Sequence, residues 1–276
     1  MTIDVACAVQ GGYVPHSAAL LHSVLRPGVR MHYLHDPGLR AVSRRRLEGV
    51  AADLGGELVF WEIADERVAG LPVHGYFTSA MWYRILLPEL LPDVERVLYL
   101  DVDTLALEPV APLWELDLAG HLVAAVTNVF ETWRGTEHTD ALGLAQSDYF
   151  NSGVLLLNLD EMRRAGAVGE LRRVAAERAE HLLWPDQDVL NLVLGPRRLM
   201  LAPRWNAMNS VLLFDHAADV LGADAVREAR ERPAIRHFEG PGANKPWVRG
   251  SRGLPHRADY RAHRRATPWG RPWVSA

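Results

Sequence analysis

RVLYLDVDTLAL, residues 96–107, decides how this chain reads. Val97 to Leu100 form a short apolar run, the pattern of a strand buried on both faces. The run passes straight into Asp101-Val102-Asp103. Alternation along the strand puts both carboxylates on one side and turns Val102 away. Two carboxylates that close repel unless a positive charge lies between them. A hard divalent cation such as Mg²⁺ or Mn²⁺, with its preference for oxygen, fits there. An isolated Asp-x-Asp is more often a solvated acidic turn, so the rest of the chain must choose.

Upstream, strand and helix alternate. Ile3 to Val9 reads as a buried strand broken by Gln10-Gly11-Gly12-Tyr13, and His16 to Leu25 as a helix. Val29 to His35 is a second strand. Leu39 to Leu54 is a helix stopped by Gly55-Gly56, and Glu57 to Ile63 is a third strand. This order is the signature of a mostly parallel sheet with helices on its faces. Ligands of such sheets bind beyond the carboxyl ends of the strands. The glycines after the first strand lack the G-x-G-x-x-G spacing of a nicotinamide enzyme. With no nearby Lys or Arg, they also argue against the triphosphate loop of a metal-dependent nucleotidyltransferase.

Downstream, Ser79 to Leu91 reads as helical, interrupted or restarted at Pro88. Its Arg84 is either a snorkelling surface residue or a buried cation that needs an anion. Leu122 to Val126 is a strand, and Phe130 to Ser147 a long polar loop. Tyr149-Phe150-Asn151-Ser152-Gly153 opens an apolar strand at Val154 to Leu159. Asp160 is placed to cap a scaffold helix running from Glu161 to about Leu183. Trp184-Pro185-Asp186-Gln187-Asp188 opens another helix. Arg198 to Leu201 and Arg204 to Ala207 read as short extended pieces. A last short strand delivers His237 to the turn Glu239-Gly240-Pro241-Gly242-Ala243-Asn244-Lys245, whose exposed N–H groups and ammonium suit a phosphate. The tail carries Arg252, Arg257, Arg261, Arg264, Arg265 and Arg271 with Trp269 and Trp273. It reads as a packed helix and cap in preference to an anchor on an anionic surface, because the tryptophans need burial.

Composition removes several function classes. The 276 residues are 49% apolar and 23% charged, with a formal net charge of −4, which argues against a nucleic-acid surface covering the protein. The single cysteine, Cys7, rules out an internal disulfide and points to a small core residue in a reducing compartment. No apolar run approaches a membrane span, and MTIDVACAVQ lacks the features of a signal peptide. The expectation is a cytoplasmic protein.

Four segments then fall in one recognisable order: RVLYLDVDTL with PLWELDL behind it, YFNSGVLLLNL, WPDQDVLN and HFEGPGANKPW. Together they resemble glycosyltransferase family 8, the glycogenin and bacterial lipopolysaccharide galactosyltransferase group, from roughly Ile3 to Trp247. The resemblance implies a GT-A fold: one α/β domain over residues 1–276, with a mostly parallel Rossmann-like sheet and a smaller mixed acceptor-side region. Residues 1–126 would mainly bind nucleotide, 127–250 sugar and acceptor, and 251–276 form a basic aromatic tail. It implies transfer of glucose or galactose from a UDP-sugar, with retention and with Mn²⁺ (or Mg²⁺), to an acceptor that the sequence does not identify.

By the same resemblance, Asp101, Asp103 and His237 are metal ligands, and Asp186, Gln187 and Lys245 are catalytic. Donor contacts fall to Ala8, Gln10, Tyr13, Arg84, Val102, Asn128, Asn151, Gly240 and Lys245. The chain departs from the family at Gln10, where an acidic residue commonly helps hold uracil, and at Asn128, where some members carry an aspartate against the sugar. Its turn before Lys245 is one residue longer. Those departures keep a degenerate sugar-nucleotide-binding protein as the non-enzymatic alternative.

Overall fold

The computed structural model describes residues 2–75, 77–130, 134–251 and 253–270. Nine strands are described: β1 Ile3–Val9, β2 Val29–His35, β3 Glu57–Glu62, β4 Arg96–Leu100, β5 Thr104–Ala106, β6 Val123–Ala125, β7 Val154–Asn158, β8 Arg198–Met200 and β9 Ile235–His237. Seven form one sheet in the order β3-β2-β1-β4-β7-β6-β8, and β5 and β9 form a separate two-stranded ribbon. Strands β1 to β4 pair in parallel, as the alternating pattern predicts. β7 runs antiparallel to both its neighbours, β4 and β6, so the sheet is mixed at its centre.

The buried strands divide their side chains between two cores. Val5, Cys7 and Val9 of β1 face one core with Leu98 and Leu100 of β4 and Leu156 of β7. Ala6, Val97, Tyr99, Leu155 and Leu157 face the other. Period-two alternation thus serves a sheet covered on both sides, where both faces are apolar. Cys7 is a fully buried core residue, and burial pushes its thiol pKa up. No helix among the described residues is long and apolar enough to cross a membrane.

Several sequence readings are corrected. The strand does not continue through Asp101-Val102-Asp103. β4 ends at Leu100 and a turn follows, closed by Thr104 N–H to Asp101 O at 3.0 Å. The helix expected from Glu161 to Leu183 is two helices, Leu159–Arg164 and Ala167–Glu177. Gly166 between them has φ +62°, a left-handed conformation that no right-handed helix contains. The first of these helices is capped by Asn158, not Asp160: its side chain accepts the Glu161 N–H at 3.1 Å.

Ser79–Leu86 winds as 3-10 turns, with four α-helical residues, Leu87–Leu90, after it. The polar stretch expected to be a loop contains a helix, Arg134–Leu142, and residues 131–133 lie outside the described residues. Pro203–Asn206 is a 3-10 turn, not an extended piece. In the tail, Arg257–Arg265 is the expected helix, and Arg46 lies 5.7 Å from the Trp269 ring. Arg252, Arg271 and Trp273 lie outside the described residues.

Candidate active site

Two strand pairings, β4 with β7 and β5 with β9, build the site. β4 delivers Asp101 at the carboxyl end of a central strand. Pairing of Leu100 with Val154 brings Gly153 alongside, and Asp101 N–H donates to Gly153 O at 2.8 Å. In the ribbon, Thr104 pairs with His237, and Phe238 N–H donates to Asp103 O at 2.9 Å. Segments distant in sequence therefore meet at one point, next to where the order turns from β1 to β4.

One ligand atom each from Asp101, Asp103 and His237 lies within 4.8 Å of the others. Two carboxylates and an imidazole suit a divalent cation such as Mn²⁺ or Mg²⁺, so the donor set fits the metal that the resemblance implies. Asp101 is held by one oxygen only. Its Oδ1 accepts from Arg84 Nη2 and from Tyr99 OH, both at 2.9 Å. Asp103 is almost fully buried and accepts from Lys245 Nζ, while His237 Nε2 lies 3.4 Å from its other oxygen. Burial opposes the charge on Asp103, but the ammonium beside it prevails and holds the carboxyl well below the usual range.

Arg84 is the buried cation that the sequence left open. It stacks 4.3 Å from the Tyr99 ring and reaches Asp186 at 3.3 Å as well as Asp101. Asp186 is buried near the start of helix Pro185–Leu194, and burial pushes its pKa up to about 6 against the pull of Arg84. Gln187 follows it: Oε1 accepts Ser152 N–H at 2.9 Å and Nε2 donates to Tyr149 OH at 3.2 Å. Asp188 and Asn191 in the same motif are structural. Asp188 takes the N–H groups of Leu183 and Trp184, and Asn191 clamps the backbone of Phe150.

A cavity of about 870 Å³ opens over this cluster. All the sequence-predicted residues line it. Asp101, Asp103, His237, Lys245 and Gly240 line it together with Arg84, Asn128, Asn151, Asp186 and Gln187. Ala8, Gln10, Tyr13 and Val102 complete the set, and Gln10 Oε1 is buried without a hydrogen-bond partner. Gly240 has φ +86°, and a Cβ there would come within 2.6 Å of Asn244 Nδ2, so the turn before Lys245 depends on glycine.

Sequence reasoning missed several supports. Arg236 is fully buried, lies 4.2 Å from the Phe238 ring and donates to Ala207 O at 2.8 Å, fixing the backbone on both sides of His237. Glu239 takes the N–H groups of Asn209 and Ser210. Gly153 makes room for His237: a Cβ on it would lie 2.2 Å from His237 Cε1. A glycine at the mouth of an apolar strand is the signal that could have exposed it, since glycine there marks close approach. Gly153→Ala is expected to cost about 1–3 kcal/mol as the ring is forced aside. Thermal melting with and without Mn²⁺ checks this: the stabilisation given by Mn²⁺ should shrink along with the melting temperature.

Comparison with known proteins agrees with this fold. The chain is 32% identical over 244 residues to general stress protein A of Bacillus subtilis, covering 86% of this chain and 82% of that protein. It is 28% identical over 214 residues to a lipopolysaccharide 1,3-galactosyltransferase of Salmonella typhimurium, covering 74% of this chain and 60% of that one. Among solved structures, the galactosyltransferase LgtC in complex with donor and acceptor sugar analogs superposes with a TM-score of 0.82 at 25% identity, over 96% of each chain. The sequence profile described as Glycosyl transferase family 8 matches residues 4–250, nearly the whole chain, and with the GT-A architecture and the acidic cluster already in place, the protein belongs to that family of glycosyltransferases.

Proposed function

We propose that the protein is a retaining hexosyltransferase that moves glucose or galactose from a UDP-sugar to an acceptor hydroxyl, with Mn²⁺ as cofactor. The observation that carries this is the convergence of the Asp101, Asp103 and His237 ligand atoms on a cavity that also takes Arg84, Asp186, Gln187 and Lys245. The nucleotide would lie against residues 1–126, and sugar and acceptor against 127–250.

In the reaction the bond from the sugar's anomeric carbon to phosphate oxygen breaks, and its electron pair leaves with the diphosphate. The acceptor oxygen bonds to that carbon and its proton passes to the leaving phosphate oxygen. A bound Mn²⁺ supplies Lewis-acid neutralisation of the diphosphate. Lys245 and the backbone N–H groups around Gly240 and Gly242 add positive potential where charge develops, each contact worth about 2.7–4 kcal/mol on the oxyanion-hole scale. Asp186 is placed to take sugar hydroxyls. It is tied to Arg84, and the Gln187 oxygen is turned onto Ser152 N–H, so neither is free as a nucleophile. This favours attack on the same face as departure over a covalent intermediate on Asp186.

Incubation with UDP-glucose or UDP-galactose and Mn²⁺ is expected to release UDP slowly without acceptor, and EDTA to stop it. UDP release undiminished in EDTA would overturn the metal assignment, and Mn²⁺-dependent binding without turnover would make the protein a binder only.

A further inference from the structure

A chain of side-chain amides runs from His237 into the sugar end of the cavity, and its direction is fixed by backbone. Gly153 N–H can only donate, and it donates to Asn151 Oδ1 at 3.0 Å. The same oxygen accepts from Asn206 Nδ2 at 2.9 Å, which turns Asn206 Oδ1 the other way. That oxygen lies 3.0 Å from His237 Nδ1. An amide oxygen only accepts, so the proton of the imidazole must sit on Nδ1. In the neutral ring His237 Nε2 is then a bare lone pair facing the Asp103 carboxylate at 3.4 Å. Two acceptors face each other there with no proton between them, an arrangement a cation satisfies. At the other end, Asn151 Nδ2 donates to Gln187 Oε1 at 3.3 Å and to Asn128 Oδ1 at 3.2 Å. Asn206 itself is fully buried, in the 3-10 turn Pro203–Asn206.

We propose that Asn206 is the positioning residue that holds His237 in the Nδ1–H tautomer, so that Nε2 is presented to the metal, and that it ties this ligand through Asn151 to the sugar-site residues Gln187 and Asn128. The inference rests on the metal reading of His237. It gives Asn151-Ser152-Gly153 one combined role: the Gly153 N–H sets the polarity of the amides, and the missing Cβ of Gly153 houses the ring they orient. Groups that orient a ligating histidine in this way generally matter about 10–100-fold in metal affinity.

The test begins with the metal-free wild type. Long-range ¹H–¹⁵N correlation spectra, with His237 assigned by loss of its signals in His237→Gln, should show Nδ1 protonated and Nε2 bare. An Nε2–H or a doubly protonated ring overturns the proposal. Mn²⁺ titration followed by electron paramagnetic resonance of the free ion should show ~10–100-fold weaker binding in Asn206→Leu. Asn206→Asp keeps an acceptor for Nδ1–H and loses the donor to Asn151, so it should bind Mn²⁺ close to wild type while a UDP-hexose gains less affinity over UDP. Folded Asn206→Leu with wild-type affinity overturns the proposal, as does Asn206→Asp weakened as much as the leucine variant. If Asn206→Leu does not fold, the spectra and Asn206→Asp decide. Wild-type protein that binds no Mn²⁺ would sink the metal reading, a result distinct from the wrong tautomer.

Discussion

Asp103→Asn is expected to lose transfer activity by at least ~10²–10³-fold, the scale of one lost contact to developing charge. It should also lose stability, because the aspartate is the buried partner of Lys245. Removing one member of a buried pair leaves the other uncompensated, at a cost of about 3–5 kcal/mol for a dry site, less here because Lys245 also donates to Phe238 O at 3.1 Å. The two effects separate in a second variant. Asp103→Asn with Lys245→Met should regain most of the melting temperature and none of the activity. UDP release measured beside thermal melting checks both, and an active single variant would sink the ligand assignment.

Asp186→Asn should do the opposite to stability. The folded pKa of Asp186 is pushed up to about 6, above its ordinary value of 3.8, because burial disfavours the charge. Between those values the folded state holds more protons than the unfolded one, so the contribution of this group to stability falls as pH rises. It is most favourable below the unfolded value, is lost as pH rises to about 6, and stays lost at neutral pH. A shift of that size corresponds to about 3 kcal/mol. The loss of the Arg84 contact offsets part of it, leaving roughly 1–2 kcal/mol gained by the asparagine variant at pH 7.5. Melting curves at pH 7.5 and pH 4.5 should show this gain shrink in acid. Turnover should fall sharply in the same variant, since a carboxylate kept charged against its surroundings is available for sugar hydroxyls. A variant no more stable at pH 7.5 than at pH 4.5, relative to wild type, would contradict the assignment of the shift to burial.

Much of the fold was legible because it is written in local pattern. The alternation of apolar strands with helices through Glu62, and the helix closed at Gly55-Gly56, needed only periodicity and a stop signal. The residues that line the cavity were legible as candidates through short motifs in order. What was not legible depends on partners far along the chain. The antiparallel insertion of β7 between β4 and β6 is a pairing choice that its Val-Leu-Leu-Leu run, apolar on both faces, does not encode. The turn at Asp101-Val102-Asp103 forms because β5 leaves the sheet to pair with β9, some 130 residues later. Gly166 looked like one glycine inside a helical pattern, and only its positive φ shows a break. Asn206 carried no sequence signal: a buried amide gains meaning from the histidine and the asparagine it joins.

The tail has a consequence for where this protein ends as a folding unit. Helix Arg257–Arg265 lies against the turn that carries Lys245. Arg257 donates to Pro246 O and Val248 O, each at 2.9 Å. Trp247 stacks on His16 with ring centroids 3.8 Å apart, and His16 Nδ1 meets the Tyr260 hydroxyl at 2.7 Å. The family match ends at residue 250, yet this brace on the turn that carries Lys245 comes from beyond it. A piece of the chain cut at residue 250 would therefore lose these contacts. Trimming the chain to the matched residues would loosen the turn that holds Lys245.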